Sequence, residues 1–155
     1  MSYFDDLKRP IHKGDLMPVI RQGIFMSFTG GLIIGAVQLV MVFTMNFTLT
    51  WIFLFLLSMM TAKRIRDAFQ SYHVIFSMLS VAFFMLAYYF MSVTTYTGLN
   101  FIMGYGEISD YISLLNPFIY FQFLNPLNGY FFSVDNILQL VFFLIGTIYA
   151  YRYVK

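Results

Sequence analysis

Apolar residues along the chain fall into four long runs that are separated by more polar stretches. These runs predict transmembrane helices at about 22–45, 48–62, 73–94 and 136–151. No charged residue occurs between Ile24 and Ala62, and one helix of that length would be nearly twice the roughly 30 Å thickness of the hydrocarbon core. The stretch must therefore fold back. Its most polar part is the predicted hairpin, which places Trp51 at the membrane interface.

A long loop, 95–135, connects the third and fourth predicted helices and is rich in aromatic residues. The part at 111–134 carries no charge, but Pro117 and Pro126 divide it into pieces that are too short to span a membrane. We therefore predict short helices that lie in the interface or pack over the membrane helices. A further pair of crossings is the alternative.

The N-terminal segment, 1–20, is polar and contains Pro10, Gly14 and Pro18. These residues are expected to prevent one continuous helix. A piece that lies on the cytoplasmic membrane surface and a solvated tail are both compatible with the pattern. The whole chain, 1–155, is predicted to form a single membrane domain.

Composition supports a membrane location. Hydrophobic residues make up 60% of the chain and charged residues 10%, against roughly 45–50% and about 25% in soluble domains. A soluble domain of 155 residues could not bury so much apolar surface. We therefore predict an all-α integral membrane protein.

The basic residues give the orientation. All nine Lys and Arg residues fall into three clusters, at 8–21, 63–66 and 152–155. Because basic residues are retained on the cytoplasmic side, this spacing predicts an even number of crossings. The expected protein has four transmembrane helices, both termini in the cytoplasm (N-in/C-in), the aromatic loop outside, and a location in the cell membrane.

Cofactor chemistry finds little support in the sequence. The chain has no cysteine, which excludes disulfides and thiolate metal sites. His12 and His73 are far apart in sequence and from any acidic cluster, so neither a metal site nor a cofactor site is predicted. The net charge of +2 is modest, and no nucleic-acid partner is expected.

A stripe of small residues is the most distinct motif. Gly23, Ser27, Gly31 and Gly35 recur every four residues along the first predicted helix, and Gln38 follows close to the same face. Small residues at this spacing allow another helix backbone to approach closely. The stripe predicts either an interface with another subunit or with a second copy, or packing against other helices of the same chain.

A second group lies between the second and third predicted helices. If this region is helical, Arg66, Gln70 and His73 lie near one face and could bind a lipid phosphate or a cytoplasmic partner. The candidate contact residues are Arg64, Arg66 and His73. Membrane orientation alone is the competing explanation for the two arginines.

The predicted membrane helices contain no ionisable acid or base that would mark a proton or ion pathway. Their polar residues include Tyr88 and Tyr89, whose hydroxyls are expected to make ordinary interhelical hydrogen bonds. Motifs of hydrolases, metalloproteases and nucleotide-binding enzymes are absent from the sequence.

The sequence therefore favours a small non-catalytic subunit of a larger membrane transport, secretion or envelope assembly. A self-sufficient homo-oligomeric channel or transporter is the alternative. A membrane enzyme that acts on lipid head groups, with His73, Arg66 and Asp67 at its site, is a third hypothesis.

Overall fold

A computed structural model describes residues 13–104 and 107–155, and within these ranges every regular element is helical. In chain order the elements are α1 (Lys13–Met45), α2 (Thr50–Arg66), α3 (Val74–Met103), α4 (Ile108–Ser113), α5 (Pro117–Tyr120), a 3-10 turn (Gln122–Leu124) and α6 (Val134–Tyr153). The all-α prediction is confirmed.

Three of the helices are long and apolar enough to cross a membrane. The candidate spans are Gly14–Met45, Val74–Met103 and Val134–Tyr153, with 32, 30 and 20 residues. This result is compatible with a multi-pass membrane protein. The remaining long helix, α2, has 17 residues and extends about 25 Å at 1.5 Å per residue, slightly less than the hydrocarbon thickness.

Helix α1 begins earlier than the predicted span and continues through Pro18. Proline removes the hydrogen bond to the carbonyl four residues before it. That carbonyl belongs to Gly14, which is exposed at the beginning of the helix and can find another partner. Gly14 and Pro18 therefore do not interrupt α1. Residues 1–12, where the rest of the predicted N-terminal segment falls, lie outside the described residues.

Helix α3 continues well beyond the predicted end at residue 94. Its threonines do not end it because their hydroxyls bond to helix carbonyls: Thr94 donates to Phe90 (2.8 Å), and Thr95 donates to Met91 (2.9 Å). The helix ends at Gly104, whose φ of +67° is left-handed and suits glycine. The long loop thus begins later than predicted, and it contains the expected short helices.

The long helices pack in two parallel pairs. In the pair of α1 and α3, Ser27 bonds to Phe83 and Gly35 to Thr95, at sequence offsets of 56 and 60 residues. In the pair of α2 and α6, Trp51 packs on Phe142 and the Ser58 hydroxyl donates to the Gly146 carbonyl, at sequence offsets of 91 and 88 residues. Nearly constant offsets mean that the partners of each pair point in the same direction.

At one end of the molecule the four helices are level. Val19 of α1, Ile65 of α2, Phe76 of α3 and Val154 beside α6 share one buried apolar cluster there. We call this the basic end because it carries the described arginines of the helix termini: Arg64, Arg66 and Arg152.

At the opposite end the helices are unequal. Gln139, near the beginning of α6, bonds to Tyr88 of α3, and α3 runs on to Met103, roughly 15 Å past the beginning of α6 at about 1.5 Å per residue. Likewise Gln38 bonds to Thr50, the first residue of α2. Helices α1 and α3 therefore project beyond the shorter pair at what we call the aromatic end.

Candidate functional site

The aromatic segment, residues 107–133, folds against α3 and α6 at the aromatic end. Two tyrosines of α3 hold its backbone: the Tyr88 hydroxyl donates to the carbonyl of Tyr120 (2.9 Å), and the Tyr89 hydroxyl to that of Leu115 (2.7 Å). From α6, the Asn136 amide donates to the carbonyls of Phe123 (3.2 Å) and Phe131 (3.0 Å). Side chains of both helices thus fix the segment.

Aromatic rings fill the space beneath this segment. Phe143 of α6 lies at the centre, with its ring centroid 5.2 Å from that of Phe123 and 5.5 Å from that of Phe84. The Tyr88 ring packs edge-on against Phe121 and Phe123 at 5.3 and 5.8 Å. These separations are typical of favourable aromatic pairs, so the segment has a well-packed underside.

A pocket of about 320 Å³ opens between the aromatic segment and the two helices. The described residues that line it are uncharged, and seven of them carry hydrogen-bonding side chains: Tyr88, Tyr96, Tyr120, Gln122, Asn128, Asn136 and Gln139. Its volume is at the lower end of the range that small-molecule sites occupy. The pocket combines aromatic walls with several neutral polar groups.

Hydrogen bonds fix the pocket walls. The Gln139 amide donates to the Tyr88 hydroxyl (2.6 Å), and the Tyr120 hydroxyl donates to the Leu114 carbonyl (2.6 Å). Burial raises the pKa of Tyr120 to about 12, and the nearby Tyr89 and Tyr96 act in the same direction, because a phenolate would be poorly solvated there. The Tyr120 hydroxyl is therefore a neutral donor at neutral pH.

The small-residue stripe lies against α3 of the same chain. A Cβ atom added at Gly31 would lie 2.7 Å from the Ala87 carbonyl oxygen, and one at Gly35 would lie 2.6 Å from that of Met91. Gly23 faces the Phe83 ring. This arrangement corresponds to the second interpretation of the stripe, packing within the chain.

The two polar members of the stripe make internal hydrogen bonds. The buried Ser27 hydroxyl lies 2.8 Å from the carbonyl oxygens of both Gly23 and Phe83. The Gln38 amide donates to the Thr50 hydroxyl (2.7 Å). Gln38 therefore joins α1 to the beginning of α2.

Arg64, Arg66 and His73 do not share one helical face. Helix α2 ends at Arg66 and residues 67–73 are not helical, so the single helical face on which their joint role depended does not exist. The Arg66 guanidinium lies over the Phe69 ring at 5.1 Å. Arg64 lines a cavity together with Met60 and Lys63.

His73 is buried at the beginning of α3. Its Nδ1 accepts a hydrogen bond from the backbone N–H of Ile75 (3.1 Å), which caps the helix. An imidazole bonded in this way has a structural role, and His73 as a residue has a relative exposure of only 7%. Within the described residues, no group of three or more His, Asp or Glu side chains could hold a metal ion.

The pocket at the aromatic end is not predictable from the sequence. Tyr88 was expected to bond between helices, and it bonds both to Gln139 of α6 and to the aromatic segment. The sequence spacing of Gln122, Asn136 and Gln139 does not indicate that they line one pocket with Tyr96. Their proximity depends on the turn between Leu124 and Val134. A possible signal is the richness of the region in both aromatic and amide residues.

Comparisons with protein-family models, with curated proteins and with solved structures find no match for this chain.

Proposed function

We propose that this protein is a small, non-catalytic subunit of a larger membrane assembly and that it docks on another integral membrane protein. All four long helices would cross the bilayer, with both termini and the basic end in the cytoplasm and the aromatic end outside. Helix α2 would be the fourth span, because it runs beside α6 with Trp51 on Phe142 and Ser58 on Gly146.

The observation that carries the proposal is the apolar surface of the projecting helix ends. We call this surface the projecting tips, and large exposed hydrophobic residues form it: Val40, Phe43, Met45 and Phe47 on or after α1, and Phe101, Ile102 and Met103 on α3. Contact between Leu39 and Gly98 keeps the two helices together at this level.

Tilting does not place the projecting tips inside the hydrocarbon core. Helix α3 has 30 residues, so it is about 45 Å long and would need a tilt of about 48° to fit within a 30 Å core, beyond the usual range of 0–40°. Because the four helices are level at the basic end, the excess length falls at the aromatic end, and we expect the tips to reach the head groups or beyond. Contiguous exposed apolar surface in such a position is typical of an interaction site.

Site-specific photocrosslinking tests this proposal with a matched pair. Phe43 and Phe25 both lie on α1, are 57% and 55% exposed, and share one face because about five turns of 3.6 residues separate them. We expect p-benzoylphenylalanine at Phe43 to crosslink to a distinct membrane protein, whereas the same group at Phe25 crosslinks to lipid.

Two results would contradict the proposal. Adducts of Phe43 with lipid alone would show that the projecting tips have no protein partner. Adducts of Phe43 with a second copy of this chain alone would favour the homo-oligomeric channel or transporter instead.

The contacts of the residues proposed for a lipid head-group site support a non-catalytic role. That site needs His73 and Arg66 to act together, yet His73 caps a helix and Arg66 packs on an aromatic ring. A channel would need a polar path, and the interhelical hydroxyls of Ser27 and Ser58 are bonded to backbone carbonyls.

A further inference from the structure

We infer that the pocket at the aromatic end binds a neutral sugar ring, either as a free saccharide or as the head group of a glycolipid. This site is separate from the projecting tips, and the inference does not depend on a protein partner. We call it the polar pocket, lined by the seven hydrogen-bonding residues named above.

The volume limits the ligand to a small molecule. At about 30 Å³ per water molecule, a space of 320 Å³ holds roughly ten waters, which is close to the about twelve non-hydrogen atoms of a hexose. A larger ligand could enter only in part, with its remainder in the solvent or in the lipid.

The charge of the pocket selects against ions. All described lining residues are neutral, so a charged ligand would lose hydration without gaining an ionic partner. Asp135 directly precedes Asn136 of the lining, and its carboxylate would further disfavour an anion.

The polar atoms of the lining suit hydroxyl groups. In the described part of the chain, no hydrogen bond engages the Tyr96 hydroxyl, the Gln122 amide or Oε1 of Gln139. This set contains donors and acceptors together. A hydroxyl both donates and accepts, so a polyhydroxylated ring can satisfy every member of the set.

The aromatic walls suit the apolar face of the same ring. Tyr96 is the accessible ring: it is 53% exposed and packs on the buried Tyr120, with 5.6 Å between the ring centroids and 34° between the planes. A pyranose has C–H groups on its faces and hydroxyls on its rim. Flat apolar rings beside amide groups match that division of surface.

The walls also need little rearrangement to bind. Tyr88, Gln139 and Asn136 are already held by the bonds between α3, α6 and the aromatic segment. A ligand therefore does not have to order the site, and this lowers the entropic cost of binding.

Sugar binding can be tested with the full chain in phosphatidylcholine nanodiscs. One arm measures saturation transfer to methyl β-glucopyranoside by NMR, and the other measures retention of a glucosyl diacylglycerol by native mass spectrometry. We expect binding in at least one arm. Transfer to the free glucoside identifies a saccharide site, and retention of the glycolipid alone identifies a head-group site.

Variants assign the binding to the polar pocket. Tyr96→Ala and Gln122→Ala should each weaken the signal at least tenfold, because they remove a wall and a free amide. Tyr130→Ala is the control, since Tyr130 is 80% exposed on the same segment and is not part of the lining. Circular dichroism and the melting temperature would show that all three variants are folded.

The inference is overturned if neither probe binds, or if Tyr96→Ala and Gln122→Ala both bind as well as the unmodified chain. Equal binding of methyl glucuronate would contradict the neutrality of the site. Because the photocrosslinking at Phe43 does not involve these residues, a negative result here leaves the proposed docking function unaffected.

Discussion

Gly35 shows most clearly how single residues set the helix packing. Next to it, the α3 backbone leaves no room for a Cβ atom, with the Met91 oxygen at 2.6 Å and the Thr94 Cβ at 2.8 Å from the position it would take. Backbone atoms cannot move aside as a flexible side chain can. Close contact between α1 and α3 therefore depends on glycine here.

We expect Gly35→Ala to destabilise the protein by about 1–3 kcal/mol through overpacking. Reversible unfolding in mixed detergent micelles would measure the loss. Gly30→Ala is the matched control on the same helix, because its Cβ would meet the flexible end of Met26. If the stripe instead served a second subunit, Gly35→Ala would dissociate oligomers and leave the monomer as stable as before.

Buried hydroxyl groups between the helices differ in whether they have a hydrogen-bond partner. Ser58 donates to the Gly146 carbonyl, whereas the buried hydroxyls of Thr61 and Ser80 have no hydrogen-bond partner in the described part of the protein. A buried polar group without a partner costs free energy. The two positions should therefore tolerate apolar replacement.

We predict that Thr61→Val raises the free energy of unfolding by about 1 kcal/mol, because it removes the unbonded hydroxyl and keeps the side-chain shape. Ser58→Ala should lower it by a similar amount, since it removes a bonded hydroxyl. Both changes can be measured by the detergent unfolding assay. A loss of stability in Thr61→Val would mean that its hydroxyl has a partner, such as a buried water.

At the scale of the elements, the hydrophobic pattern predicted where the helices lie better than where they end. The apolar runs at 22–45 and 136–151 lie within α1 and α6. Their ends depend on local hydrogen bonds: Thr95 bonds within its own helix and to Gly35, so its polarity does not end α3. Hydropathy averaged over several residues predicts that the helix ends at such a threonine.

The candidate sites were less predictable than the helices. The small-residue stripe could be read from its spacing, but its partner α3 could not, since a repeat of glycines does not identify the helix that packs on it. The polar pocket depends on a non-repetitive turn that brings Asn136 to Phe123 and Phe131. The spacing of residues along the sequence does not show that the chain folds back in this way.

For the whole molecule, we predict that the basic and aromatic ends lie on opposite sides of the membrane, with the aromatic end outside. The chain has no cysteine, so each introduced cysteine is unique. Leu127→Cys, at a residue 91% exposed, should react with an impermeant maleimide in intact cells. Gln70→Cys, in the exposed turn before α3, should react only after permeabilisation.

Labelling of both cysteines in intact cells would show that residues 70 and 127 share the outer side, which four crossings do not allow. Labelling of Gln70→Cys alone would reverse the orientation. Either result would move the projecting tips to the cytoplasmic side or into the membrane, and the photocrosslinking at Phe43 would then report on a different surface.

The unequal helix lengths have a consequence for the lipid around the protein. Helices α2 and α6 are about 25–30 Å long, whereas α1 and α3 are about 45–50 Å long. The membrane must thin or thicken to follow both, and each ångström of mismatch costs a fraction of a kcal/mol. A neighbour that covers the projecting tips of α1 and α3 relieves that mismatch, so the bilayer favours association at the tips.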